Sequence, residues 1–434
     1  MTGRHDESSC RDDASVPSGD DDRCVGRRSY LKLAGATAGS VSLLGRAAGV
    51  QAARAGGAFS RRVDAVDAGC DPTGRTPSDG AFRRALAENT LFTFPAGTYR
   101  FTEPQVVLGL DSLGLRGEGE VSFVVPAGFD GDLLTIAGGS ELLFHGIDVD
   151  MTAAGATPGL RLGARDRLLI EDVEFHGRGV YSPTNEPVAN ALSPVVRSPD
   201  GVGIARNVRA RNDGPMGPEY RSDTGRAGIR IGGATRGTVR IENCRLQGFQ
   251  NGGAYVSETA AEIRIVGGVY RDNDIAGIRI GGTGPESTVE RARVEAGLGN
   301  ATASGTTDSD AMNTCAIRFE GGGSGSEVRG CDLVLDAGAE DEGAVVAAHD
   351  HGGFVLRDTR IRAAGGSPAI RGLTPHGGPY SPPQGSIETR LERCSIAGPD
   401  PEDAIRLTER PAPHVEDHSL DGVAPIGITR SIGQ

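Results

Sequence analysis

Three kinds of side chain in this sequence could do chemistry, and each recurs at intervals of roughly one repeat. Carboxylates gather in three clusters: Asp272 with Asp274; Asp308 and Asp310 with Asn313; and Glu340, Asp341 and Glu342. Paired carboxylates can act as general acid and base in glycoside hydrolysis, which makes Asp274, Asp310 and Asp341 catalytic candidates. Several carboxylate oxygens together can hold Ca²⁺, the role open to Asp272 and Asp308. A second series runs Arg230, Tyr255, Arg279, Arg318, Val345, Arg371, Arg406. Guanidinium binds carboxylate bidentately, so Arg279 and Arg318 could neutralise an acidic substrate at its reacting centre. Arg230, Tyr255 and Arg371 would bind the same substrate alongside. His349, His351 and His376 could meet at one turn, as a metal site or a proton-transfer group. Plainer readings stand beside these. Asp and Asn populate turns, His351 and His376 both precede Gly-Gly, and an arginine stem covers its neighbours on a solvated strand.

The elements that must position these groups follow from a repeated hexad, Ile241-Glu242-Asn243-Cys244-Arg245-Leu246. Its cognates start at Phe144, Ile170, Ala205, Ile265, Val289, Val328, Leu356 and Leu391, spaced 24 to 39 residues apart. First and last positions are apolar or small and the fourth is slim. Nearly every hexad is answered by a second strand of the form Gly228-Ile229-Arg230-Ile231. Period-2 alternation over four to six residues predicts strands with one buried face, and the Gly-Gly and Asn-Gly clusters between them would break helices. One such coil cannot bury its inner face alone, so coils must stack, about 4.8 Å apart. The expected fold is all-β, a single-stranded right-handed parallel β-helix solenoid. In it the fourth positions Ile147, Val173, Val208, Cys244, Gly268, Ala292, Cys331, Thr359 and Cys394 form one interior column. The long links 177–200, 211–226 and 296–314 share one register and would wall a single groove over the arginine row.

Gly26-Arg27-Arg28-Ser29-Tyr30-Leu31-Lys32 precedes a short apolar stretch, 33–50. Twin arginines there predict a twin-arginine export signal over 1–53 and an extracellular or cell-surface destination. The stretch is too short and glycine-broken to span a membrane, and no Cys follows for a lipid anchor. Residues 1–53 hold seven basic and seven acidic residues, so the remainder keeps the whole formal charge of −13. That balance argues against a nucleic-acid partner. Lys32 is the only lysine. Cys244, Cys331 and Cys394 lie in one column but two and three coils apart, beyond the roughly 7 Å that a disulfide allows. They are expected as buried free thiols; Cys70 and Cys315 are unassigned, and no pair has zinc spacing.

Ahead of the coils stand Gly69-Cys70-Asp71-Pro72-Thr73-Gly74, then 78–89, then Phe94-Pro95-Ala96-Gly97-Thr98-Tyr99. Ser78 is a good N-cap, and Phe82, Ala85, Leu86 and Asn89 fall on one helical stripe. A short N-terminal capping helix should therefore plug the open end of the solenoid. The expected layout is a cap over 54–110, coils over 111–408 and an irregular tail over 409–434. This passage resembles the N-terminal segment of the pectate-lyase-like (pectin-lyase-fold) superfamily, where Asp-Pro-Thr-Gly, a capping helix and a Pro-x-Gly-Thr-Tyr strand follow one another. With the coils, the resemblance covers about 63 to 408. It implies the right-handed β-helix and, through the family's lyases, polygalacturonases and epimerases, a carbohydrate-active role. Polygalacturonase-type members carry aspartates just before a Cys-Ile-Ala-Ile-like strand, echoed by Asp310 ahead of Cys315-Ala316-Ile317. The echo is partial, for the Asn-Thr-Asp and Gly-His-Gly motifs of those members are missing.

Two functions are compatible with this reading. One is a secreted lyase or hydrolase acting on an acidic polysaccharide, with Ca²⁺ as the one cofactor in view. The other is a non-catalytic β-helix that binds glycans or serves in the cell envelope. An aromatic content of only 4% weighs against the second, because sugar platforms stack on rings.

Overall fold

Each hexad is bent at its third residue, and most divide there into two strands; those within Arg167–His176 and Val202–Arg211 run on as single strands. In the computed structural model, Thr238–Glu242 and Arg245–Gln247 flank such a bend at Asn243, whose φ is 52°. The third positions Gly146, Asp172, Asn207, Gly267, Arg291, Gly330, Asp358 and Arg393 repeat it, with φ between 50° and 67°. Gly, Asn and Asp reach this left-handed region at least cost. Arg393 holds it with two hydrogen bonds to Asp358, the bend residue one coil earlier, at 2.6 and 2.8 Å. The structure describes residues 59–179, 189–212, 225–284, 287–297, 315–336, 343–363, 368–375, 383, 385–398, 404–416 and 419–420, all within the unit Gly56–Gln434.

With the answering strand, a coil has three strands where its hexad divides and two where it runs on, and equivalent strands of successive coils pair in parallel. The bent hexads make one sheet of 22 strands and the answering strands a second of 11. Register is one-to-one: Ile241 pairs with Ile265, Leu246 with Tyr270, Ile278 with Ile317. The result is the right-handed parallel β-helix expected from the repeat. The bend also turns the fourth position inward, and Ile147, Val173, Val208, Cys244, Ala292, Cys331, Thr359 and Cys394 are all buried. Where that residue can donate, it reaches the carbonyl two residues before it, at the bend. Thr359 donates to Arg357 O at 2.9 Å, and the Cys244, Cys331 and Cys394 thiols make the equivalent contacts to Glu242, Arg329 and Glu392. All five described cysteines are free and buried.

The capping helix is Asp79–Ala85. Phe82 is fully buried beneath it, among Phe92, Phe94 and Phe101. Ser78 occupies the N-cap but makes no capping bond; its hydroxyl accepts from Asp71 N–H at 3.3 Å. Asp79 instead clamps the next turn, accepting from Thr102 and Glu103 N–H and from Gln105. At the far end, His414–Glu416 and Ser419–Leu420 continue the larger sheet, in register with Arg390–Glu392 and Ser395–Ala397. The stretch expected as an irregular tail thus begins with further strands.

Candidate functional site on the second sheet

Because the second sheet pairs without slippage from Ile229–Arg230 onward, its outward residues there stand in one line: Arg230, Tyr255, Arg279, Arg318, Val346, Arg371, Arg406. The line differs from expectation at one place. Val346, and not Val345, faces outward, since Val345 pairs with the inward Ile317.

The arginines are not a bare row. Glu320 accepts from Arg279 Nε at 2.7 Å, from Arg318 Nε at 2.9 Å and from Ser257 Oγ at 2.7 Å. Arg279 also donates to Asn251 Oδ1 at 2.5 Å. The side chains of Arg279, Arg318 and Glu320 are only 12%, 16% and 12% exposed. Burial pushes the Glu320 carboxyl up, but the two guanidiniums and the Arg279 and Ser257 hydrogen bonds outweigh it and hold it below the ordinary range. Tyr255 lies between two arginines, with Arg279 Cζ 3.7 Å and Arg230 Cζ 5.2 Å from its ring centre. Such cation–π contacts strengthen as they are desolvated. The Tyr255 hydroxyl donates a short hydrogen bond to Glu258, whose other oxygen accepts from Arg230 at 2.7 Å. Burial raises the phenol well above its ordinary value despite the pull of Arg279, and the Glu258 bond raises it further.

Glu258 and Glu320 were not singled out in the sequence. Glu320 was within reach of the pattern, because it lies two residues beyond Arg318 in the strand Cys315–Glu320 and so shares its face. Glu258 follows Tyr255 by three residues in a turn, where periodicity carries no signal.

The expected acids separate. Asp274 is buried in the turn before Ala276–Gly281, and its carboxylate accepts from Ile275 N–H at 2.8 Å. Ile275 has φ of 56°, and Ala276 N–H closes on Asp274 O at 2.6 Å. A β-branched residue there is strained, a feature that clusters at functional sites. Asp272 lies instead by the bent-hexad sheet, beside Arg271, Glu295, Asp336 and Arg211, and burial raises its carboxyl. Asp308, Asp310, Asp341 and His376 lie outside the described residues, as does the export motif at 26–32. His351 is fully buried against Phe319, ring centres 5.3 Å apart, and burial lowers it to about 4. His349 pairs with Thr374 O at 2.8 Å. Among the described residues no three His, Cys, Asp or Glu side chains are grouped to hold a metal. Those residues do not fit a calcium centre.

No family model matches the chain, and no curated protein matches it. Among solved structures, the mannuronan C-5 epimerase AlgE6 A-module of Azotobacter vinelandii is similar at 15% identity and a TM-score of 0.47, over 86% of this chain and all of that one. The AlgE4 A-module of the same organism gives 15% and 0.48, over 77% of this chain and 95% of that one. The catalytic unit of a GH87 α-1,3-glucanase from Streptomyces thermodiastaticus gives 15% and 0.31, over 75% and 70%. At these identities the likeness concerns the fold.

Proposed function

We propose that the chain is an exported, carbohydrate-active β-helix protein that works on an acidic polysaccharide, and that its reaction is β-elimination on the outer face of the second sheet. The observation that carries this is the Tyr255 phenol, held protonated by burial, hydrogen-bonded to Glu258 and flanked by Arg230 and Arg279. Hydrolysis would need a carboxylic acid of raised pKa. Glu320 is held low and carries no proton to give, whereas Tyr255 keeps its proton and can pass it to a strongly basic departing alkoxide. Elimination needs the uronate carboxylate neutralised while the adjacent C–H proton leaves. Arg279 and Arg318, both bonded to Glu320, stand side by side where the uronate carboxylate would be neutralised.

In this reading Glu258 takes the proton α to the carboxylate. The electron pair becomes the C4–C5 double bond, the C4–O bond breaks, and Tyr255 protonates the departing oxygen. The Glu258–Tyr255 hydrogen bond then returns the proton and resets both groups. Arg230 and Arg371 bind neighbouring sugars, and Asp274, poised on its strained turn, with Asp310 and Asp341, supplies further carboxylates. Export rests on the twin-arginine motif; no described helix is long and apolar enough to cross a membrane.

The test is turnover of polygalacturonate and alginate followed by the absorbance of unsaturated uronate. Wild type should form it, and Tyr255→Phe should lose about 10²-fold or more in rate. Wild-type protein that yields neither unsaturated ends nor new reducing ends, or a Tyr255→Phe rate equal to wild type, sinks the reading.

A further inference from the structure

The second strand of each bent hexad builds a separate face of the rod, and charge concentrates there. Its outward column runs Glu174, Arg209, Arg245, Val269, Arg293 in register, beside a column of Arg211, Gln247, Arg271 and Glu295. Glu174, Arg209, Arg211, Arg245, Arg271 and Arg293 line a groove of about 270 Å³, and all five arginines are exposed. Arginine alone is no signal in a chain with one lysine; its arrangement is. On the adjoining face arginines are held between carboxylates of neighbouring coils. There Arg206 lies between Glu171 and Glu242 at 2.6 and 3.8 Å, and Arg357 between Glu327 and Glu392 at 2.8 and 2.6 Å. In the groove, Glu174 approaches Arg209 only to 3.8 Å. Glu295, at its rim, is shared by Arg271 and Arg293, and Arg293 reaches Asp332 at 2.9 Å. Of the charged residues that line the groove, five are arginines and one is Glu174, with Asp336 and Asp272 outside the lining beside Arg293 and Arg271, on a chain whose formal charge is −13.

We propose that this groove is a second, non-catalytic subsite that anchors an acidic polysaccharide by its carboxylates, apart from the Tyr255 face. The proposal rests on the reading that the substrate is such a polymer. Stacking repeats the arginines along the rod about every 4.8 Å, an interval suited to successive sugars of an extended chain, and guanidinium matches carboxylate geometry. The charge complementarity selects an anionic occupant, and the groove's shallow, solvated form suits a flexible chain better than a small ligand.

The experiment titrates the full chain with a long oligogalacturonate by calorimetry at two salt concentrations, and separately follows turnover of a galacturonate trimer. In R209E/R245E the long oligomer should bind about tenfold more weakly, with a shallower salt dependence, while trimer turnover stays at the wild-type rate. Arg245→Lys, which keeps the charge but loses the bidentate fork, should bind between wild type and the double variant. Should the double variant unfold, Arg245→Gln leaves the ion pairs of Glu174 and Glu295 intact and supplies the same readout at smaller size. Long-oligomer affinity indifferent to these substitutions overturns the proposal, as does tighter binding of single-stranded nucleic acid than of polyuronate in the same groove. The two readings fail separately. Groove-dependent binding without turnover removes the lyase and keeps the anchor; Tyr255-dependent turnover with groove-independent binding does the reverse.

Discussion

A single carboxylate decides whether Arg279 and Arg318 can stand side by side. Both guanidiniums are nearly buried and both bond to Glu320, so Glu320→Gln removes the carboxylate that the two like charges share. Breaking such a pair costs roughly 3–5 kcal/mol, to be read from denaturant midpoints. The same group sets a pH window. Its folded value lies below the ordinary 4.5, so its stabilisation is complete above that pH and is lost as pH falls through the lower folded value. The gap between wild type and Glu320→Gln should therefore close in acid. His351 opens a different window. Burial lowers it from 6.5 to about 4, so the unfolded chain takes up a proton first. Stability should fall as pH drops from 6.5 toward 4. His351→Phe, placed beside Phe319 and Phe354, should flatten that slope in thermal melts; an unchanged slope would show that the imidazole is not titrating as described.

At the scale of the element, the bend governs both what the sequence revealed and what it hid. Alternation of apolar residues made the strands, their stacking and the interior column legible, because burial on one face writes a period-2 pattern. The bend was not legible, since Arg291 and Arg393 occupy positions where Asn243 and Gly267 sit elsewhere. No residue type marks the corner in every coil. For the same reason the arginine register of the second sheet could be read, but its ion pairing could not: partners such as Arg279 and Glu320 are 41 residues apart. Asn243 tests the bend directly. Asn243→Val places a β-branched side chain at φ 52° and should cost about 1–2 kcal/mol, whereas Asn243→Gly should be near neutral. Equal losses for the two would mean that the side-chain contacts of Asn243, and not its backbone, hold the corner.

For the whole rod, stability is a chain of nearest-neighbour interfaces, so the ends are where it is weakest. The N-terminal end is closed by the helix and a cluster of rings around Phe82 and Phe94. The other end relies on a cation. Arg410 is 5% exposed and donates to the carbonyls of Leu373, Gly352, Ala348 and His351, each at 2.8 to 2.9 Å. Burial lowers its guanidinium to about 10, still fully charged at neutral pH. Arg410→Met keeps much of the volume and strips four carbonyls of their donor. Hydrogen bonds to a charged group contribute about 1.5–3 kcal/mol each, and solvent entering the opened end would repay part of that loss. Hydrogen exchange should then speed up in Ile370–Gly372 and Ile405–Leu407, while Leu113–Val124 and Arg167–His176 stay as protected as in wild type. Uniform loss of protection along the rod would instead mean that the coils melt as one cooperative body, and Arg410 would then be a contributor to global stability and not a local latch.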